Sequence, residues 1–301
     1  MAANKRIIGG HVAWHHDEGH DAGAFVTFDH LPLPGLPPRK VHVLVPRNLT
    51  GRVPLVVMHD GNTAFWPGGI AGSTWDAARA VARARRDVVV VAVHSPDRNA
   101  EYTHVDWSGG RRSFGLLPRY AHAIARGLVP FIDAHFPTIP QRAARAVVGS
   151  SHGGLASFFI ATRYPDVFGF GGCMSPSLFS GIEPYPYGGG SVPLNAASIV
   201  KDVWGVLEDA SQRPRLWLCW GLRRDGGEHN SVVEHLATKR GREAVPLLVA
   251  RGYRAHHMRG HDDIAPRDAD LIVMEDARGG HDEASWGARL TTLLRTLPDG
   301  R

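Results

Sequence analysis

Residues 149–153 read Gly-Ser-Ser-His-Gly, a G-x-S-x-G pentad that follows a short apolar run and precedes a helix-like segment. A serine at such a strand-to-helix turn adopts a strained backbone conformation, and its hydroxyl points outward at the edge of a sheet. Glycines at positions 149 and 153 let the strand and the helix approach more closely than a Cβ would allow. The stretch therefore predicts a nucleophile elbow centred on Ser151.

Short β-branched runs alternate with longer helical patterns along the rest of the chain, which is typical of an α/β protein with a mostly parallel sheet covered on both faces. Strands are predicted at 25–28, 41–45, 55–59, 88–94, 146–149, 169–174, 216–220 and 271–275, and helices at 73–86, 117–135, 152–164, 196–210, 229–251 and 283–297. Eight strands around an elbow favour an α/β-hydrolase fold. We expect one domain over residues 1–301, with a polar N-terminal segment at 1–24 and a loop insertion at 254–269.

The composition is that of an ordinary globular enzyme, with 43% hydrophobic and 21% charged residues. The net charge of +5 comes from scattered arginines, so it does not indicate a nucleic-acid partner. Cys173 and Cys219 lie in apolar runs and are expected to be reduced and buried. Neither a signal-peptide pattern nor a membrane-span pattern is present, and the expected location is cytoplasmic, with no membrane partner.

A histidine follows the last predicted strand, in the sequence Gly-Gly-His-Asp-Glu at 279–283. A serine hydroxyl becomes a good nucleophile only when an imidazole accepts its proton, and a loop at this place can reach the elbow. The chain contains 18 histidines, most of which we expect at the surface. The position of His281, after a glycine pair and before the final helix, favours it as the catalytic base.

Four separated motifs resemble an esterase family of α/β-hydrolases that includes enterochelin esterases, bacterial feruloyl esterases, esterase D and the antigen 85 acyltransferases. They lie at 147–175, around the pentad, at 279–286, which is similar to the family's G-G-H-x-E-x-x-W, and at 57–62 and 98–102. The resemblance covers nearly the whole chain from about residue 41. It implies carboxylic-ester chemistry, with a small-molecule ester as substrate and no cofactor.

The third member of the triad departs from the family pattern. The family typically has G-T-x-E or G-T-x-D after the penultimate strand, whereas residues 221–224 read Gly-Leu-Arg-Arg. One inserted residue would place Asp225 in the role, which we favour, and Glu228 is the alternative. The remaining alternative is that both carboxylates only pair with Arg223 and Arg224 at the surface, so the identity of the acid stays open at this point.

The oxyanion hole requires two backbone N–H donors, one after the nucleophile and one after the third strand. The first is that of His152, and the resemblance at 57–62 implies Asn62 for the second. Aromatic side chains in loops at the same edge of the sheet are candidates for binding substrate, although each could equally belong to the core: Trp66, Trp107, Phe179, Tyr185 and Tyr187.

Two groups of histidines contain residue types that can bind a metal ion, one at 256–261 and one at 11–20. Neither shows convincing ligand spacing on a helix, and neither has a cysteine partner. We expect solvated loops and no metal at both places.

The motifs together predict a serine esterase that forms an acyl-enzyme on Ser151, with siderophore-type or aryl esters as the first substrates to consider. An acyltransferase of the same fold, which passes the acyl group to an alcohol, is the alternative. A non-catalytic binding protein is disfavoured because Ser151 and His281 are both present. The sequence does not fix the natural substrate or the oligomeric state, and a homo-oligomer stays open.

Overall fold

The fold is built on one mixed β-sheet. The computed structural model describes residues 3–106, 115–182, 198–202 and 204–297. In this part of the chain the sheet has eleven strands, β1 Asn4–Ile8, β2 His11–His16, β3 Ala24–Leu33, β4 Leu36–Val45, β5 Leu55–Met58, β6 Val89–Val93, β7 Arg145–Ser150, β8 Phe170–Met174, β9 Arg215–Gly221, β10 Ala255–Met258 and β11 Leu271–Asp276.

The spatial order of the strands is β1-β2-β3-β4-β6-β5-β7-β8-β9-β11-β10. The first four strands pair antiparallel, as does β4 with β6, and the pairs from β6 to β10 are parallel. All eight predicted strands are present. The additional strands are β1, β2 and β10, so a hairpin occupies part of the segment expected to be a polar terminus, and a short edge strand occupies part of the expected loop insertion.

Helices cover both faces of the sheet. They are α1 Gly61–Ala64, α2 Ala77–Ala84, α3 Arg98–Glu101, α4 Leu117–Ala123, α5 Val129–His135, α6 His152–Arg163, α7 Ser198–Asp202, α8 Trp204–Glu208, α9 His235–Ala250 and α10 Glu283–Thr296. Wider π-helical turns at Ile124–Leu128 and His229–Glu234 join α4 to α5 and lead into α9. The helix predicted at 73–86 begins later, at Ala77. Of the one predicted at 196–210, the described residues are helical at Ser198–Asp202 and Trp204–Glu208.

The buried strands explain why the sheet can carry helices on both faces. Along β5, Leu55 and Val57 belong to one core cluster while Val56 and Met58 belong to the other, because successive side chains point to opposite faces. One cluster packs against α4, α5, α6 and α9, and the other against α2 and α10.

Among the helices of the described residues, none has the length and the hydropathy that a membrane-spanning helix requires.

Candidate active site

Ser151 sits at the turn between β7 and α6. Its φ and ψ angles are 55° and −122°, a conformation that is costly for a non-glycine residue and that the surrounding packing must impose. A Cβ at Gly149 would lie 2.6 Å from the carbonyl oxygen of Gly153, so the close approach that the pentad predicted is present. The Ser151 Oγ lies 3.2 Å from the Ser177 Oγ, and the residue lines a cavity at this edge of the sheet.

His281 lines the same cavity and is held by two contacts. Its Nδ1 atom lies 2.5 Å from Oε2 of Glu234, and both side chains are buried. Its backbone N–H donates to Oδ1 of Asn230 at 2.7 Å. The imidazole ring also packs edge-on against Trp286, with 5.0 Å between ring centroids. The ring is therefore fixed in orientation in the cavity that Ser151 also lines.

Glu234 is held as a carboxylate although it is fully buried. Its Oε1 atom accepts hydrogen bonds from the Ser175 hydroxyl and the Gly221 N–H. Burial alone would raise the pKa of the Glu234 carboxyl, but the hydrogen bond with His281, the charge of Arg289 and the Gly221 N–H outweigh it and hold that pKa below its ordinary value. The result is a negative charge placed directly behind the imidazole.

Neither carboxylate expected from the sequence contacts His281. The Asp225 side chain is 88% exposed and lies 3.9 Å from Arg223, and Glu228 is exposed on the same loop. Residues 225–228, in the loop after β9, are exposed. The carboxylate that contacts His281 comes instead from the helical turn that follows this loop. It is that of Glu234, which was not predicted from the sequence.

Glu234 was missed in the sequence because this residue lies at the end of a π-helical turn, 13 residues after Gly221, the glycine that begins the family motif. One signal was available in the sequence. Glu234, Ala237, Thr238 and Gly241 share a helix face by their spacing, and all four are buried. A glutamate on a face of small and apolar residues is rarely buried without a partner, and π-helical turns are frequent at functional sites.

A buried arginine stands behind the pair of Glu234 and His281. Arg289 of α10 has no solvent exposure, and its Nη2 donates to the carbonyl of Gly280 at 2.7 Å. Its Nε lies 3.3 Å from Asp276, and its Nη1 lies 4.0 Å from Glu234. The guanidinium therefore joins the loop that carries His281 to both buried carboxylates.

The turn expected to supply the second oxyanion donor follows β5. Asp60 has left-handed backbone angles, φ 55° and ψ 50°, and α1 begins at the next residue. The Asp60 carboxylate accepts two hydrogen bonds from Arg98, at 2.7 and 3.1 Å, and Arg98 also donates to the carbonyl of Ser150 at 3.2 Å. Arg98 thus connects this turn to the elbow. Asn62 lines the cavity, and His152 is the first residue of α6.

The cavity has a volume of about 280 Å³. Its walls include the indole rings of Trp75 and Trp286, which sequence reasoning missed, together with Glu283 and His229. Both oxygens of Glu283 accept from the Ile70 N–H at 3.2 Å, and one accepts from the Ser73 hydroxyl at 2.6 Å. These contacts hold the segment 68–73 as one wall of the cavity.

Two of the predicted pocket aromatics, Trp66 and Phe179, are not among the described residues that line the cavity. The Nε1 of Trp66 donates to Glu18 beside the N-terminal hairpin. Phe179 is fully buried in a small core cluster with Val233 and Ala237. Trp107, Tyr185 and Tyr187 lie outside the described residues. The aromatic residues that line the described part of the cavity, Trp75 and Trp286, were therefore not among those selected for their position in loops.

The histidine groups make ordinary polar contacts. His256 lies 3.3 Å from Asp263, His261 lies 3.5 Å from Asp276, and His16 lies 3.0 Å from Glu18. Within the described ranges, no group of three or more His, Cys, Asp or Glu side chains is arranged to hold a metal ion.

The strand order, the serine elbow and the histidine loop after the last strand of the fold define an α/β-hydrolase. The chain belongs to the esterase family described as "Putative esterase", which matches residues 37–297, and it is a carboxylic-ester hydrolase. No curated protein matches the sequence significantly.

Solved structures share the fold at low sequence identity. An IroE-like serine hydrolase from Shewanella oneidensis has a TM-score of 0.60 at 15% identity, with 86% of this chain and 76% of that chain covered. The siderophore hydrolase EstA from Aspergillus nidulans gives 0.58 at 17% identity, covering 94% and 92%. An enterochelin esterase from Shigella flexneri gives 0.60 at 18% identity, and 89% of this chain spans 56% of that longer chain.

Proposed function

We propose that the protein hydrolyses esters through an acyl-enzyme on Ser151. His281 accepts the serine proton as the hydroxyl attacks the ester carbonyl, and it then protonates the departing alcohol. Water, deprotonated by the same imidazole, releases the acid and restores Ser151. The observation that carries the proposal is the buried hydrogen bond between Glu234 and His281 in a cavity that also contains Ser151.

Glu234 orients the imidazole in this mechanism. A carboxylate on Nδ1 fixes the tautomer that leaves Nε2 free to accept a proton, and it stabilises the imidazolium that forms. The tetrahedral oxyanion is bound by the backbone N–H groups of His152 and Asn62, which lie in the first turns of α6 and α1, where the N–H groups and the positive end of the helix dipole favour an anion.

Aryl esters are the first substrates to test, including those of siderophore type. Trp75 and Trp286 line the cavity although they are only 2% and 3% exposed, and a volume of about 280 Å³ matches a compact aromatic acyl group better than a long chain. The siderophore hydrolase and the enterochelin esterase among the fold neighbours support the same choice.

The nucleophile is tested by Ser151→Ala, with Ser177→Ala as the matched control because the two hydroxyls lie 3.2 Å apart. We expect Ser151→Ala to lower kcat for a p-nitrophenyl ester by about 10⁴ or more, and Ser177→Ala to retain turnover. A fluorophosphonate adduct should map to Ser151 by mass spectrometry. An adduct on Ser150 or Ser177, or turnover retained in Ser151→Ala, would reject the assignment.

The fate of the acyl group is measured in the same assay with an added alcohol. Hydrolysis predicts the free acid as the main product at moderate alcohol concentration. A transferred ester as the main product would favour an acyltransferase instead.

A further inference from the structure

A basic cleft lies between α2 and α10, outside the cavity that contains Ser151. Its volume is about 650 Å³, and the guanidinium groups of Arg79, Arg83, Arg85 and Arg295 lie around it. All four side chains are exposed, and none of them lines the active-site cavity. This charge therefore belongs to a second concave surface.

The positive charge of the cleft is weakly neutralised. Among the described residues, no carboxylate lies within ion-pair distance of Arg83 or Arg85. Arg79 and Arg295 lie 3.9 and 3.8 Å from single exposed carboxylates. By contrast, Arg98 in the active site contacts its carboxylate at 2.7 Å. The guanidinium groups of the cleft are consequently available to an external anion.

The cleft also contains two aspartates, Asp21 and Asp262, and one histidine, His261. Four arginines against two aspartates leave it with a net positive charge. The Asp262 side chain is fully exposed, so solvent screens its contribution. His261 is turned toward Thr292 and Asp276 and already has partners.

The floor of the cleft is formed by small or hydroxyl-bearing residues, among them Ala82, Ala288 and Thr291. Small side chains let a ligand approach the helices closely, and a threonine hydroxyl can donate to an oxyanion. The same surface continues into a second hollow of about 370 Å³, lined by Arg79 and Arg83 as well. An elongated ligand could therefore contact arginines along the whole groove.

Helix-end electrostatics do not account for this cluster. Arg83 and Arg295 lie in the last turns of α2 and α10, where a cation stabilises the helix. Arg79, however, is the third residue of α2, where a cation is unfavourable to the helix dipole. The helix dipole therefore does not explain Arg79, whose side chain lies 3.9 Å from the carboxylate of Asp76.

We propose that this cleft binds a small, freely diffusing ligand with at least two oxyanion groups, phosphoryl or carboxylate. Guanidinium groups bind such oxygens in bidentate geometry, and arginines from two helices can grip two groups at once. The proposal does not depend on the esterase mechanism, because the cleft shares no residue with the Ser151 cavity.

Isothermal titration calorimetry with tripolyphosphate and with citrate at low salt tests the proposal. The test variant is Arg83→Gln/Arg295→Gln, and the matched control is Arg6→Gln/Arg163→Gln, which removes the same charge from exposed positions outside the cleft. We expect saturable one-to-one binding that is weakened about tenfold or more in the test variant and unchanged in the control and in Ser151→Ala. The affinity should also fall as salt is added.

Three outcomes would overturn the proposal: no saturable binding of either anion, equal weakening in both arginine variants, or loss of binding in Ser151→Ala. A co-sedimentation assay with phosphatidylserine vesicles separates the two sources of anionic groups. Vesicle binding through Arg83 and Arg295 without binding of soluble anions would reject a diffusing ligand in favour of a lipid surface.

Discussion

Oε2 of Glu234 lies 2.5 Å from Nδ1 of His281, and the two side chains are withdrawn from solvent together. In a water-excluded setting, a charge-assisted hydrogen bond is stronger than at the surface, and breaking it leaves an unpaired charge. In the mechanism proposed above, the triad acid therefore comes from the π-helical turn before α9, rather than from the loop where the family pattern has it.

Glu234→Gln should reduce kcat by roughly 10³ to 10⁴ with little change in KM, because an amide cannot stabilise the imidazolium and can favour the wrong tautomer. Asp225→Asn is the control and should stay near the wild-type rate, because its side chain is exposed and its ion-pair partner is Arg223. Steady-state kinetics on one ester measures both. If Asp225→Asn lost most of its kcat while Glu234→Gln kept its own, the triad acid would be Asp225 instead.

Arg289 is expected to position the histidine loop and to hold the charge of Glu234. Replacement by glutamine removes a cation that lowers the pKa of the Glu234 carboxyl, so that pKa should rise. The acidic limb of the kcat/KM profile should then move to higher pH, because protonation of the coupled pair of Glu234 and His281 becomes less costly when the nearby cation is removed.

Arg289→Lys retains the cation and should keep the acidic limb near its wild-type position, even if kcat falls through altered geometry. A purely structural role predicts equal losses at every pH in both variants.

The link between Arg98 and Asp60 should matter for the oxyanion hole. Arg98→Gln frees the turn before Asn62 from the elbow, and we expect kcat to fall about 10- to 100-fold with a smaller change in KM. A double-mutant cycle with Asp60→Asn should give a coupling energy of about 1 kcal/mol or more in kcat/KM. Additive losses would mean that the two residues act separately.

Acid stability should depend on a buried histidine. Burial lowers the pKa of His59 to about 4 in the folded protein, whereas an exposed imidazole has a pKa of 6.5. Between these values the unfolded chain binds a proton that the native protein does not, so stability falls as the pH drops from 6.5 to 4. The slope for one such group is about 1.4 kcal/mol per pH unit.

Urea unfolding at pH 7, 5.5 and 4.5 measures this slope. His59→Asn should be less stable at pH 7, because it alters the contact with Tyr120, but should lose less stability on acidification. His30→Asn, at an exposed position, should leave the slope unchanged. Parallel curves for the wild type and His59→Asn would assign acid sensitivity to other groups.

The elbow and the parallel strands were predictable because their signals are local. Gly149 and Gly153 mark a close backbone approach within a few residues of Ser151, and the buried strands are short β-branched runs. The β1–β2 hairpin and β10 were missed because edge strands contain polar residues such as Lys5 and His257, which look like loop.

Glu234 and Arg289 could not be placed from the sequence with the same ease. Each lies in a helical pattern, where a charged residue ordinarily faces solvent, and its burial depends on a partner distant in the chain. Trp75 and Trp286 raise the same difficulty, because they are distant in the chain and contact each other only in the folded protein, with 5.6 Å between their ring centroids.

The helical origin of Glu234 leaves the tip of the loop after β9 without a reacting side chain. Residues 225–228 are exposed, and exposed loop tips of polar residues are the places where proteins best accept inserted sequence. A recognition peptide grafted between Gly226 and Gly227 would stand next to His229 at the rim of the cavity. An insertion in this loop could therefore change which esters are selected, while Ser151, His281 and Glu234 are left unchanged.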